Sequence, residues 1–177
     1  MNDDRESVIL VDADDRQVGA IGKIEAHLLG MRHRAISVCL TNRRGDMLLQ
    51  RRALGKYHSG GLWTNACCTH PRAGEAVADA ASRRLKEELG VECRLSFLRV
   101  THYRADVGSD LVEDEIVHMF HGEYEGHPRP DAEEVMDYGW FSRSHLISDV
   151  ARRPDAYTFW FRHYLRKHED EIFQGVV

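Results

Sequence analysis

The chain predicts an α/β fold of the α+β kind, a mixed β-sheet flanked by helices in one compact domain. Three observations carry that expectation. Short apolar runs with strand-like alternation recur along the chain, separated by turn residues. One central segment, Glu75 to Leu89, has clear helical spacing, and a second amphipathic stretch runs from Pro154 to Phe173. No repeat, low-complexity tract or linker divides the 177 residues, a length that suits a single domain, 1–177, with a real core.

Taken in order, Val8 to Val11 is a short strand, Asp12 to Arg16 a turn and Gln17 to Ile21 the returning strand of a hairpin. Lys23 to Leu29 is a short helix or turn ending at Gly30. Arg34 to Leu40 and Met47 to Arg52 are strands joined by a turn at Asn42 to Asp46. Leu54 to Gly61, with three glycines, is a loop leading into Trp63 to Pro71. In the Glu75 to Leu89 helix, Val77, Ala80, Ala81, Leu85 and Leu89 recur three and four apart, and Gly90 supplies the stop. Val91 to Tyr103 is a strand, Asp106 to Asp110 a loop, and Glu113 to Tyr124 another strand. Gly126 to Pro130 breaks the chain, Val135 to Phe141 is a last strand, and Ser142 opens a short helix before the C-terminal one.

Composition excludes several classes. A net charge of −5 argues against a general nucleic-acid binder, whose footprint is basic. No apolar run approaches the roughly 18 residues that span a bilayer. The acidic, polar start, Met1 to Glu6, has neither a secretory nor a transit character, so a cytoplasmic location is expected. In that setting Cys39, Cys67, Cys68 and Cys93 read as free thiols. Eleven histidines raise the expectation of a metal or acid–base site without locating it.

Three pieces carry chemistry: Trp63–Pro71 with two thiols ahead of His70, Glu113-Asp114-Glu115, and the pair His27 and His33. In a strand, residues two apart share a face, so Glu113 and Glu115 reach inward while Asp114 points away. Taken alone, the charged helix reads as a solvated face with an Arg84/Glu88 pair one turn apart. His58, His102, His118, His121, His127, His145, His163 and His168 take the ordinary surface reading.

The run Gly74-Glu75 through Arg83, Leu85, Glu87, Glu88, Gly90 and Val91 resembles the Nudix box, in which helix carboxylates hold a divalent cation against a diphosphate. Thr69 stands where the box has its first Gly, and Arg84 where it has a Glu. An arginine there offers a positive fork suited to gripping phosphate oxygens rather than to activating water. With that helix placed, Trp63-Thr64-Asn65-x-x-Cys68-x-His70-Pro71 is similar to the type 1 isopentenyl-diphosphate isomerases. Lys23-x-x-x-His27, Arg51 to Lys56, Tyr103-Arg104-Ala105, Glu113-x-Glu115 and Asp137-Tyr138-x-Trp140 match as well. The resemblance runs from about Val8 to the region of Trp160.

That resemblance implies a Nudix-like fold and the reversible conversion of isopentenyl to dimethylallyl diphosphate, a step of isoprenoid biosynthesis. It assigns Cys68, Glu115, Tyr103 and Trp160 to catalysis, with Cys67 as packing. It assigns His27, His33, His70, Glu113 and Glu115 to a Mn²⁺, Mg²⁺ or Zn²⁺ site, and Glu88 to a Mg²⁺ shared with the substrate diphosphate. Lys23, Arg52, Lys56 and Arg84 become the diphosphate grip, with Arg51 and Arg83 as neighbours. The implied partner is a small molecule, with neither nucleic acid nor membrane, acting on a monomer or weak dimer. A Nudix hydrolase is the first rival, disfavoured by Arg84 and by Cys68 with His70; a non-catalytic binding module is the second.

Overall fold

The computed structural model, which describes residues 6–174, has the expected mixed sheet flanked by helices. The strands are β1 (Ser7–Val11), β2 (Gln17–Gly22), β3 (Arg32–Thr41), β4 (Met47–Arg52), β5 (Trp63–Asn65), β6 (Cys67–Thr69), β7 (Leu95–Gly108), β8 (Leu111–Glu123) and β9 (Val135–Phe141). The helices are α1 (Lys23–Leu29), α2 (Val77–Leu89), α3 (Arg143–Arg152) and α4 (Phe159–Gln174). Most of the polar N-terminal start, residues 1–5, lies outside the described residues, as do residues 175–177 of the expected domain.

Strand β3 organises the sheet. It runs parallel to β8 from the Arg32/Asp114 pair to the Thr41/Glu123 pair, and antiparallel to β6 through Ser37/Cys68 and Val38/Cys67. It also meets β1 at Leu10/His33 and β4 at Thr41/Met47. The sheet is therefore mixed, and both its faces are covered. Ala35 and Cys39 join Met47, Leu49, Val117 and Met119 in a core sealed by Trp160, Phe161 and Tyr164 of α4. Ile36, Val38 and Leu40 face the other way, against Ala80, Ala81, Leu85 and Leu89 of α2. Burial on both faces explains why β3 reads as a near-continuous apolar run instead of a clean alternation. Burying Leu85 and Leu89 contributes roughly 1.5–3 kcal/mol each, and Leu85→Ala destabilises by about 2–5 kcal/mol.

Several boundaries differ from expectation. Helix α2 begins at Val77 because the Glu75 carboxylate is occupied outside it, accepting from the Arg72 amide at 2.8 Å and from Arg83 at 2.7 and 2.8 Å. Strand β7 starts at Leu95 rather than Val91 and extends to Gly108. The expected loop at Asp106 to Asp110 shrinks to Ser109 and Asp110, whose φ values of 56° and 60° make the two-residue turn that suits the twist of a hairpin. Pro154 to Phe173 is not one helix: Pro154–Ala156 form a 3-10 turn, and Tyr157 and Thr158 pass beside Trp63 before α4 begins. There the Thr158 amide donates to the Trp63 carbonyl at 3.0 Å, so the chain is pinned to β5 instead of coiling. Among the described residues no helix is long and apolar enough to cross a membrane.

Candidate active site

The site forms where β3, β6, β7 and β8 present one face to α1, α4 and the loop before β5. Adjacent Cys67 and Cys68 take opposite sides of β6 because side chains alternate along a strand. Cys67 is fully buried in the α2-side core, whereas Cys68 packs at the edge of the α4-side core and lines the cleft. Cys67 is thereby a packing residue in position, and burial holds its thiol well above the usual range.

The Cys68 thiol donates to Asn65 Oδ1 at 3.2 Å, with Ser37 Oγ at 3.7 Å. The Asn65 amide cannot rotate freely, since its Nδ2 donates to the Val38 and Cys67 carbonyls at 2.9 and 3.0 Å. Oδ1 also accepts from Thr64 Oγ1 at 3.2 Å, and Thr64 in turn accepts from Trp160 Nε1 at 2.7 Å. A single hydrogen-bonded line thus links the indole of α4 to the thiol of β6. Burial, partly offset by the contacts with Ser37 and Asn65, pushes the Cys68 thiol up to about 12, so it is a proton carrier and not a thiolate.

Opposite stand the carboxylates of β8. The alternation is as expected: Glu113 and Glu115 point into the cleft, while Asp114 points away to Arg32 at 3.0 Å and His102 at 2.8 Å. The Tyr103 hydroxyl of β7 is 2.7 Å from both Glu113 Oε2 and Glu115 Oε2. It has one proton for two acceptors. Burial and then the Glu115 charge raise the Glu113 carboxyl well above the carboxylate range. Burial acts the same way on Glu115, but His33 and His70, at 3.4 and 3.0 Å, outweigh it and hold the group low.

The imidazoles converge on this pair. His27, His33 and His70 have ring centres 4.8, 5.0 and 5.7 Å apart, and with Glu115 they offer ligand atoms within 4.8 Å of one another. His27 Nδ1 lies 2.7 Å from the Lys23 carbonyl and His33 Nδ1 lies 2.7 Å from the Met31 carbonyl. A carbonyl requires a proton on the facing nitrogen, which leaves each Nε2 with a free lone pair. Both Nε2 atoms are buried without a hydrogen-bond partner. Orphaned, pre-oriented imidazole lone pairs beside buried carboxylates are the donor set a divalent ion takes. Glu113 falls in a different group, with His27 and His58.

At the far end of the cleft the charges are paired. Lys23 Nζ meets Glu6 Oε2 at 2.8 Å, and Lys56 Nζ meets Glu134 Oε2 at 2.8 Å. Arg84 Nη2 reaches Glu88 Oε1 at 2.7 Å and Glu134 Oε2 at 3.5 Å, and Gln50 donates to the other Glu88 oxygen at 2.8 Å. The Arg52 guanidinium lies over the Trp160 ring, 5.3 Å from its centre.

Comparisons with known proteins identify the family. The NUDIX domain family matches residues 31–164. "Isopentenyl-diphosphate Delta-isomerase 2" of Aromatoleum aromaticum is 48% identical over 155 residues, covering 88% of this chain and 82% of that protein. The Jannaschia sp. protein named isopentenyl-diphosphate Delta-isomerase is 50% identical over 160 residues, covering 89% and 90%. The chain belongs to the isopentenyl-diphosphate Delta-isomerase family of NUDIX proteins. A crystal structure from Deinococcus radiodurans has the same fold, with a TM-score of 0.75 at 19% identity over 92% of this chain and 98% of that one. A MutT NUDIX hydrolase from Burkholderia pseudomallei also shares it, with a TM-score of 0.61 at 22% identity over 77% and 98%.

The cleft is lined by Cys68, Glu115, Tyr103, Trp160, His70, Glu113, Glu88, Lys23, Arg52, Lys56 and Arg84, every residue named from the sequence except His27 and His33. Those two lie just beneath, in the imidazole group. Arg51 and Arg83 turn to the Gly61 carbonyl at 2.8 Å and to Glu75, as neighbours. Sequence reading missed Glu6, His58 and Glu134. The surface reading is corrected at His163 and His168, each 7% exposed, and at His58, which is 6% exposed in the middle of the site. Only Glu134 had a local signal, an acidic pair before β9; the other two come from loop and terminus positions that no periodicity marks.

Proposed function

We propose that the protein interconverts isopentenyl diphosphate and dimethylallyl diphosphate by protonation and deprotonation across the five-carbon chain. The observation that supports this best is the pairing of a protonated-thiol geometry with a carboxylate cluster on one sheet face. β3 sets both: its register places Cys68 beside Ser37 and Glu115 beside His33, two positions on the same face. Moving the double bond needs a proton donor for one carbon and an acceptor at another, and a hydrogen-bonded thiol facing a low-pKa carboxylate supplies such a pair. Tyr103, bridging Glu113 and Glu115, passes a proton between them and toward solvent. Trp160, its indole N–H tied to Thr64, presents a π face to the positive charge that develops near C3. Exclusion of water from the cleft on substrate binding keeps that charge from being trapped as an alcohol.

His27, His33, His70, Glu113 and Glu115 would hold a divalent ion of the Mn²⁺, Mg²⁺ or Zn²⁺ class, whose fixed positive charge would orient the carboxylates. Glu88, whose oxygens now meet Arg84 and Gln50, would hold a Mg²⁺ accompanying the diphosphate, and Lys23, Arg52, Lys56 and Arg84 grip the phosphate oxygens. We read the chain as a single cytoplasmic domain, 1–177, acting as a monomer or weak dimer in isoprenoid supply.

Proton NMR of isopentenyl diphosphate in D₂O with enzyme and Mg²⁺ tests the reading. The allylic isomer, carrying deuterium, is the expected product, lost in Cys68→Ala and in Glu115→Gln. Phosphate release without allylic product returns the protein to the hydrolases.

A further inference from the structure

His58 occupies the loop between β4 and β5, and its side chain is 3% exposed. Its Nε2 lies 3.2 Å from Glu113 Oε1. The ring is held from behind: Nδ1 is 3.1 Å from Ser59 Oγ, and the Arg52 guanidinium donates to the His58 carbonyl at 3.2 Å. It stands edge-on to Trp160 at 5.7 Å and 6.0 Å from His27, centre to centre. His27, His58 and Glu113 offer three buried ligand atoms within 4.8 Å of one another.

This group shares His27 with the group His27, His33, His70 and Glu115. His27 Nδ1 is committed to the Lys23 carbonyl, while its Nε2 is wholly buried and makes no hydrogen bond. An imidazole nitrogen has one lone pair, so His27 Nε2 binds one ion and not two. Only one ion can therefore draw on His27, and the two groups meet at it, with Glu115 on one side and Glu113 on the other.

We propose that His58 is a protein ligand of the divalent ion at this centre, so that four imidazoles and two carboxylates surround it. The inference rests on the reading that the cluster holds a divalent ion. Six protein donors suit an octahedral ion rather than tetrahedral Zn²⁺. They also leave no position for water or substrate, which gives the ion the work of fixing Glu113 and Glu115 and leaves proton transfer to the side chains.

The test uses the full chain loaded with Co²⁺ or Mn²⁺. In proton NMR of the Co²⁺ form, His58→Ala is expected to lose one paramagnetically shifted exchangeable imidazole signal relative to the unmodified chain. Water-proton relaxation of the Mn²⁺ form is expected to show no inner-sphere water in the unmodified chain and a gain of one in His58→Ala. Affinity for Mn²⁺ should fall by at least the ~10- to 100-fold lost when an outer-shell partner is removed. An unchanged set of shifted signals overturns the proposal, leaving His58 a hydrogen-bond partner of Glu113. Bound water in the unmodified Mn²⁺ form overturns it as well, without recourse to a variant. A protein that takes up neither ion instead removes the metal reading itself.

Discussion

The two ends of the cleft hold their charges by different means. Around Glu113, Tyr103 and Cys68 burial sets the protonation, while His33 and His70 hold Glu115 low against it. At the other end Lys23, Lys56 and Arg84 each sit 2.7–2.8 Å from a carboxylate. The first arrangement tunes who carries a proton; the second holds a cationic socket in shape, with Glu6 and Glu134 occupying cations that an incoming diphosphate must share. Substitutions at the first end should therefore act on kcat, and those at the second on KM.

The largest effect is expected from Cys68→Ala or Glu115→Gln, a loss of about 10²- to 10⁴-fold in kcat with KM nearly unchanged, measured by steady-state isomerisation. Cys67→Ala in the same assay should stay within a few-fold of the unmodified chain. If these two cysteine results exchange places, the facing of β6 is wrong.

Arg84→Gln comes next. Losing charge-assisted hydrogen bonds worth roughly 1.5–3 kcal/mol should raise KM about 10- to 150-fold while kcat moves less. It should also lower thermal stability, because Glu88 and Glu134 stay buried with fewer partners. A fall confined to kcat would erase the distinction between the two ends.

Asn65→Ala sharpens the comparison from the reaction end. It leaves the Cys68 thiol without its nearest acceptor, and a kcat loss on the order of 10-fold at constant KM is expected. Thr64→Val, which cuts the line to Trp160 one step further away, should lose less.

The smallest effect on activity comes from Asp149, outside the cleft. Its carboxyl is held well below the usual range by Arg153 first, then Arg152 and Tyr157. A depressed folded pKa adds stability that is present above the unfolded value of about 3.9 and is lost as pH falls through it toward the folded one. Asp149→Asn should thus lower stability at pH 7 and flatten its decline below about pH 4, as read by denaturant melts. The isomerisation rate at 25 °C should be unaffected, which separates folding from both ends of the site.

Much of the molecule was legible in the chain. The α2 helix, the β3 and β4 strands, the inward facing of Glu113 and Glu115, and the Ser142 cap all follow from periodicity and turn chemistry, which are local; β3 and β4 as mutual partners do not, since they meet only at Thr41/Met47 and pair with β8 and β9 instead. The Cys67/Cys68 distinction was legible only through the family pattern, since two adjacent thiols look alike until a strand partner fixes which side each faces. His58 was misread because the loop before β5 has no period from which burial can be inferred.

By itself, then, the sequence determined most of the elements and the residue types able to move a proton and hold a diphosphate. Tertiary structure alone decided which of them meet. The β3 register brings Cys68 and Glu115 to one face from positions 47 apart in the chain. Folding the 54–61 loop over the sheet buries His58 against Glu113, and passing Thr158 beside Trp63 delivers Trp160 to Thr64. Such contacts are long-range, set by packing and desolvation summed over both cores, and no local pattern encodes them.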